Sequence, residues 1–278
     1  MIGPAQRTWA VNFSMSFASK VIIITGASEG IGAELARQLA PHQPRLVLAA
    51  RRLDLQQQVA QQCVALGAQA IAVRCDVGIE ADCKALAQAA LDAFGRIDML
   101  VNNAGVSGHA MFEDVSDFTW YEDMMRINFM GTLWCTHAAL PALRASKGLI
   151  AGVSSLAGKV GVPGRTAYSP SKFAQAGFLE ALRTELLGSG VDVTAIFPGV
   201  VATNIRIHGY GADGNAAGQS GLKDDDAMSV HECARQMVQA LRTRRRELVM
   251  TPKARLGLWL KLIAPRMVER MTLAALKK

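Results

Sequence analysis

The 278-residue chain is 50% hydrophobic and 19% charged, a balance that supports a sizeable globular core and excludes an intrinsically disordered chain. No run approaches the roughly 20 apolar residues of a membrane span, and residues 1–19 are expected to form a loose arm and not a secretory signal. The net charge of +7 belongs to the tail: residues 242–278 hold eleven Lys or Arg against two acids, and no nucleic-acid-reading motif accompanies that charge.

Apolar runs of strand length alternate with helix-period segments as far as residue 200, the pattern of a doubly wound α/β fold with a parallel sheet in a single domain. The first strand spans 20–25 (KVIIIT), β-branched and continuous as a doubly buried strand must be. Glycines 26–32 turn the chain into a helix over 33–39. A strand at 45–50, a helix at 55–66, a strand at 70–74 and a helix at 80–94 follow. The fourth strand covers 98–101, a long helix 117–143, the fifth strand 148–153, a helix 168–187 and the sixth strand 191–196.

The segment 204–228, rich in Gly, Ala and Asp, reads as a mobile loop whose Asp224-Asp225-Asp226 run faces solvent. Ser229 caps a helix running to about 242. Residues 251–278 read as a basic amphipathic extension that Pro265 divides into two short helices. The domain proper is thus 20–250.

Five cysteines, odd in number and scattered, predict reduced thiols in a cytoplasmic protein, and neither they nor the five histidines have metal-ligand spacing. His109 and His208 are the two histidines placed to approach a substrate pocket.

The segment Thr25-Gly26-Ala27-Ser28-Glu29-Gly30-Ile31-Gly32 lies between a strand and a helix. Small residues there let backbone approach a pyrophosphate, and a helix N-terminus favours its charge. Tyr168 and Lys172, one helical turn apart, share a face after the fifth strand, at the carboxyl edge where open α/β sheets bind ligands. A phenol, with a pKa of about 10, needs a nearby cation to act as an acid–base group at neutral pH, and a lysine can supply that field.

With these segments in that order, the chain resembles the short-chain dehydrogenase/reductase family over about residues 20–246. The matching motifs are TGASEGIG (25–32), CDV (75–77), NNAG (102–105), SSLAG (154–158), YSPSK (168–172) and FPGVVAT (197–203). The resemblance implies a catalytic set of Asn128, Ser155, Tyr168 and Lys172. Tyr168 is the acid–base, Ser155 orients the carbonyl, Lys172 contacts the ribose and lowers the tyrosine pKa, and Asn128 anchors a relay water. Ser154, the competitor of Ser155, is expected to face the packed side.

The resemblance also implies a nicotinamide dinucleotide held by the glycine loop (Gly26, Ser28, Glu29, Gly30, Ile31 and Gly32), by Asp76 with Val77 at the adenine, and by Asn103, Ala104 and Gly105 along the ribose side. Pro198, Gly199, Val201 and Thr203 would orient the carboxamide. At the end of the second strand Ala50 stands where NAD-type members carry an acid, and the Arg51–Arg52 pair suits a 2′-phosphate. The expectation is therefore NADP(H), with NAD(H) the alternative. Glu29 opposes it, occupying a position where NADP-type members often carry a base.

The activity implied is reversible reduction of a ketone or aldehyde. The stretch 154–174 points to the hydroxysteroid-dehydrogenase-like branch and a lipophilic small-molecule substrate, and family members often form homodimers or homotetramers. The C-terminal extension is expected either to pack on protein or to touch an anionic membrane surface. A cofactor-sensing scaffold without turnover is the rival from another class, and the full catalytic set argues against it.

Overall fold

A computed structural model of the chain describes residues 15–218 and 227–276. Its centre is a parallel seven-stranded sheet, ordered β3-β2-β1-β4-β5-β6-β7. The strands are β1 (Val21–Thr25), β2 (Arg45–Ala50), β3 (Gln69–Arg74), β4 (Met99–Asn102), β5 (Leu149–Val153), β6 (Asp192–Phe197) and β7 (Glu247–Val249). Alternate residues of one strand serve opposite cores, which is why the sequence runs are continuous: Ile22 and Ile24 face one, Val21 and Ile23 the other. Helices α1 (Gly30–Leu39), α2 (Leu53–Ala65) and α7 (Val230–Arg242) cover the first face. Helices α3 (Glu80–Phe94), α5 (Gly131–Ser146) and α6 (Tyr168–Glu185) cover the second. Strand order reverses between β1 and β4, and ligand sites of open α/β sheets lie outside the carboxyl ends at such a switch.

The structure departs from the sequence pattern in four places. Strand β7 extends the sheet beyond the sixth strand, pairing Ala195 with Glu247. The long helix expected at 117–143 is two helices, α4 (Thr119–Met125) and α5, joined by a π-helical turn at Arg126–Met130. Residues 15–19 are not a loose arm: Phe17 is 1% exposed within the core, and the Met15 amide donates to the Arg242 carbonyl at 2.8 Å. The described part of the 204–228 loop is tied to the segment after β4, with Tyr210 N donating to Ser107 O and His109 N to Tyr210 O, both at 2.9 Å. The Asp224–Asp226 run lies outside the described residues.

The tail follows the sequence pattern in its elements. Helices α8 (Pro252–Ile263) and α9 (Pro265–Leu276) form on either side of Ala264, α8 capped by the Thr251 hydroxyl. One side of α8 touches the body through Ala254 and Leu258. Leu256, Trp259, Leu262 and Ile263, however, are 69–82% exposed and uncovered by any described residue. No described helix is long and apolar enough to cross a membrane.

Candidate active site

A cleft of ≈ 950 Å³ runs along the carboxyl edge of the sheet, from the glycine loop after β1 to the start of α6. At its first end the geometry is set by backbone. Gly26 and Gly30 have φ of +65° and +57°, the left-handed region that glycine enters freely. A Cβ on Gly26 would stand 2.8 Å from the Ala104 Cα, and one on Gly32 2.3 Å from the Gly26 carbonyl oxygen. Glu29, the N-cap residue of α1, makes no side-chain cap, and the first turn holds no acid. The uncapped amides of that turn and the close backbone approach fit a pyrophosphate.

Thr25 fastens this loop to the β4 exit. Its hydroxyl accepts from the amides of Asn103 and Ala104 at 3.0 Å, while the Asn103 side-chain amide donates to the carbonyls of Thr25 and Gly26. Asn103 therefore clamps two loops together as well as lining the cleft. Asp76 and Val77, after β3, also line the cleft, and Asp76 Oδ1 accepts from the Gly78 amide at 2.9 Å.

Arg51 and Arg52 follow β2, but they do not form a fork. Arg52 Nη2 pairs with Glu29 Oε1 at 2.6 Å, and His208 Nδ1 stands 3.8 Å from the same oxygen. That pairing answers the question Glu29 raises, because the acid is engaged by Arg52. It also leaves Arg51 as the exposed guanidinium without an ion-pair partner among the described residues.

At the other end the side chains carry the chemistry. Tyr168 opens α6 and Ser155 follows β5. Burial pushes the Tyr168 phenol above its ordinary value, and a hydrogen bond with Ser155 and the Arg165 charge pull it back. Ser155 Oγ also accepts from the Ala157 amide at 3.2 Å. Ser154 lies behind it as expected, 4% exposed, its hydroxyl donating to the Lys172 carbonyl at 2.9 Å.

Lys172 is 3% exposed, and burial lowers its ammonium to about 8. Its Nζ donates to the Val153 carbonyl at 3.0 Å and lies 5.9 Å from the Tyr168 ring centroid. Arg165, whose guanidinium carbon is 5.5 Å from that centroid, adds a second cation beside the phenol.

Asn128 and Gly32 do not line the cleft. Asn128 is fully buried in the π-helical turn. Its Oδ1 accepts from the Val106 amide at 2.8 Å, and its Nδ2 donates to the Val106 carbonyl and the Ser171 hydroxyl. The side chain is committed to holding other residues. Gly105 separates it from Lys172, and a Cβ there would stand 2.9 Å from Asn128 Oδ1 and 3.3 Å from Lys172 Nζ. Pro198, Gly199, Val201 and Thr203 line the cleft beyond β6, with Thr203 against Gly30.

Two side chains absent from the sequence expectation belong to the site. Gln175, fully buried, holds Lys172 through Oε1 at 3.4 Å and donates to Thr132 Oγ1 at 2.8 Å; its position one turn beyond Lys172 is the available signal. Arg165 lines the cleft three residues before Tyr168, with no periodic signal to mark it. His208 reaches the cleft wall, whereas His109 is turned into protein beside Gly164. All five cysteines are free and buried, and no metal-binding cluster occurs among the described residues.

Comparison with known proteins agrees with this geometry. The family described as short chain dehydrogenase matches residues 20–209. The 11-beta-hydroxysteroid dehydrogenase-like 4A protein of Arabidopsis thaliana is 39% identical over 251 residues, which cover 90% of this chain and 82% of that protein. A short-chain dehydrogenase/reductase from Burkholderia phymatum, in complex with NAD, superposes with a TM-score of 0.79 at 25% identity, over 91% of this chain and 96% of that one. An alcohol dehydrogenase from the archaeon Thermococcus sibiricus, complexed with 5-hydroxy-NADP, gives 0.73 at 25% identity, over 83% and 95%.

Proposed function

The chain belongs to the short-chain dehydrogenase family, with relatives in its hydroxysteroid-dehydrogenase-like branch, and from that premise we propose that it reduces a ketone or aldehyde reversibly, with NADP(H) as its preferred cofactor. The observation that carries the reading is the joining of Tyr168, Ser155 and Lys172 on one wall of a cleft that continues to the glycine loop. The bound nicotinamide supplies or accepts the hydride. Ser155 Oγ donates to the substrate oxygen and sets its distance from Tyr168. Tyr168 passes its proton to that oxygen during reduction and recovers it in the reverse direction. With a pKa near 8, Lys172 exchanges protons close to neutrality and supports the phenolate. Asn128 acts through others: it fixes Val106 and Ser171 around Lys172 as a positioning residue.

NADP(H) rests on Arg51, the exposed cation at the end of β2, and on the absence of an acid at Ala50. The lipophilic character of the substrate rests on Val106, Leu156, Val162, Val200 and Ile205, which line the cleft. NADPH and NADH oxidation followed over a panel of steroid, fatty and aromatic ketones tests both. Tyr168→Phe is expected to lower turnover by roughly 10²–10⁴-fold while leaving cofactor binding measurable; an unchanged rate overturns the mechanism.

The exposed apolar side of α8, set in a basic tail, favours a second role for the extension, contact with an anionic membrane surface. Full-length protein should float with anionic liposomes, and a Trp259→Glu/Ile263→Glu variant should not. Equal recovery of both in the soluble fraction rejects it.

A further inference from the structure

The influence of Arg165 on the Tyr168 phenol does not account for its burial: it is among the most deeply buried charges of the site, 8% exposed. Its backbone is pinned, the amide donating to Val162 O at 3.1 Å and the carbonyl accepting from Ser169 N at 2.8 Å. Nη1 donates to the Ser107 hydroxyl at 2.6 Å, and the guanidinium lies against the Tyr168 ring. No carboxylate among the described residues pairs with it. Its charged neighbour, Arg206, has the same sign. His109, close enough to feel Arg165, is held below its usual pKa by burial first and by that cation second, and an imidazole, neutral or protonated, is no counter-anion.

A desolvated guanidinium is normally matched by an anion, because burying a charge without one is expensive. The cofactor phosphates do not account for this one. Their cradle and Arg51 stand beyond β1 and β2, whereas Arg165 is held by Ser107 beyond β4 and leads into α6. Four guanidinium N–H groups are left over from Ser107, and Arg165 lines the cleft beside the residue that would protonate the substrate. A planar fork of donors matches a planar carboxylate.

We propose that Arg165 anchors a carboxylate on the substrate, so that the cleft takes oxo acids with an apolar body, the carbonyl at Tyr168 and Ser155 and the acid group on Arg165. This rests on the carbonyl reduction assigned above to the same cleft. The apolar residues Val106, Val162 and Ile205 take the carbon chain between the two polar ends.

The test compares aryl and fatty oxo acids with their own methyl esters on the NADPH-loaded enzyme, in wild type, Arg165→Gln and Arg165→Lys. A hydrogen-bonded charge pair predicts a kcat/KM preference for the acid of roughly ten- to a hundredfold. That ratio collapses in Arg165→Gln, mainly through KM, and partly survives in Arg165→Lys. The ratio cancels any general loss of activity in the variants. Equal use of acid and ester by wild type overturns the proposal. So does a ratio unchanged in both variants with a shifted pH profile, which confines Arg165 to its effect on Tyr168. Calorimetry with 3-phenylpropionate, which has no reducible carbonyl, separates the anchor from the reaction. Binding to wild type that Arg165→Gln abolishes upholds the anchor even if no ketone is turned over, a result that would instead reject the reductase reading. No binding to wild type rejects the anchor.

Discussion

The two ends of the cleft are built on opposite terms. At the glycine loop the contact surface is backbone, and its charged groups, Arg51, Arg52 and Glu29, stand in solvent. At Tyr168 the contact surface is side chain, and its charges, Lys172 and Arg165, are buried with lowered pKa values. Water screens the first set and leaves the second almost unscreened, so equal changes of charge cost more at the second. A cofactor common to many enzymes is gripped by geometry that tolerates surface variation. The reacting group sits where each charge is expensive.

After Tyr168→Phe, the largest effect should follow from Ser155→Ala. Loss of one donor aimed at the reacting oxygen is expected to cut kcat by roughly 10²–10³-fold, with NADPH affinity almost unchanged, since the hydroxyl belongs to the substrate end. Steady-state kinetics beside a fluorescence titration of the cofactor checks this, and a parallel loss of both would blur the division between the ends.

Lys172 tests the expense of burial directly. Its folded pKa near 8 lies below the unfolded reference of 10.5, so between those values the unfolded chain binds more protons and stability rises with pH. Below pH 8 the charge is carried in full by the cofactor-free fold at its greatest cost. Lys172→Met removes that cost, and the variant should gain on wild type at pH 7 by on the order of 3 kcal/mol before its lost hydrogen bonds are counted. The gain should shrink as pH rises from 8 to 10.5. Urea unfolding across that range measures it, and a difference independent of pH would mean that Lys172 is not desolvated.

The same contrast explains what could be read from the sequence. Six strands were legible because each is a continuous β-branched or apolar run, and the glycine loop because backbone approach demands glycine at fixed spacing. Strand β7 was not, since Glu247–Val249 is three residues in an arginine-rich stretch and owes its conformation to pairing with β6. Phe17 looked like part of an arm because its partners, His42 and Arg242, are remote in the chain. The π-helical turn around Asn128 leaves no mark on a 3.6-residue period. Tyr168 and Lys172 announce themselves by helical spacing. Arg165 precedes the helix, and its burial against Ser107 is a product of tertiary folding alone. The apparent fork of Arg51 and Arg52 dissolves for the same reason, because Glu29 lies some twenty residues away in the chain and beside Arg52 in space.

At the backbone end, Gly32→Ala places a methyl 2.3 Å from the Gly26 carbonyl oxygen and 2.6 Å from the Asn103 amide nitrogen. Overpacking of this kind costs roughly 1–3 kcal/mol. Here it should also displace Gly26 and Asn103 from the cradle, lowering the melting temperature and weakening NADPH and NADH alike. Loss confined to one cofactor would show that Gly32 reports on the 2′-phosphate and not on the shared pyrophosphate.

The smallest effects belong to the solvated charges, and there the choice of cofactor is decided. Arg52 and Glu29 are 47% and 43% exposed, so their pairing is worth about 0.2–1 kcal/mol. Arg52→Ala should nevertheless reduce NADPH affinity, by roughly two- to fivefold, because it releases the Glu29 carboxylate to repel a phosphate nearby. Glu29→Gln added to that background should restore the affinity, since it removes the repulsion that Arg52 had been neutralising. Arg51→Ala has no such rescue, and should erase the preference for NADPH over NADH by itself. All three effects should fade with added salt, as exposed charges require. If Glu29→Gln fails to rescue Arg52→Ala, and Arg52→Ala loses as much as Arg51→Ala, then both arginines hold the phosphate and the fork expected from sequence forms when the cofactor binds.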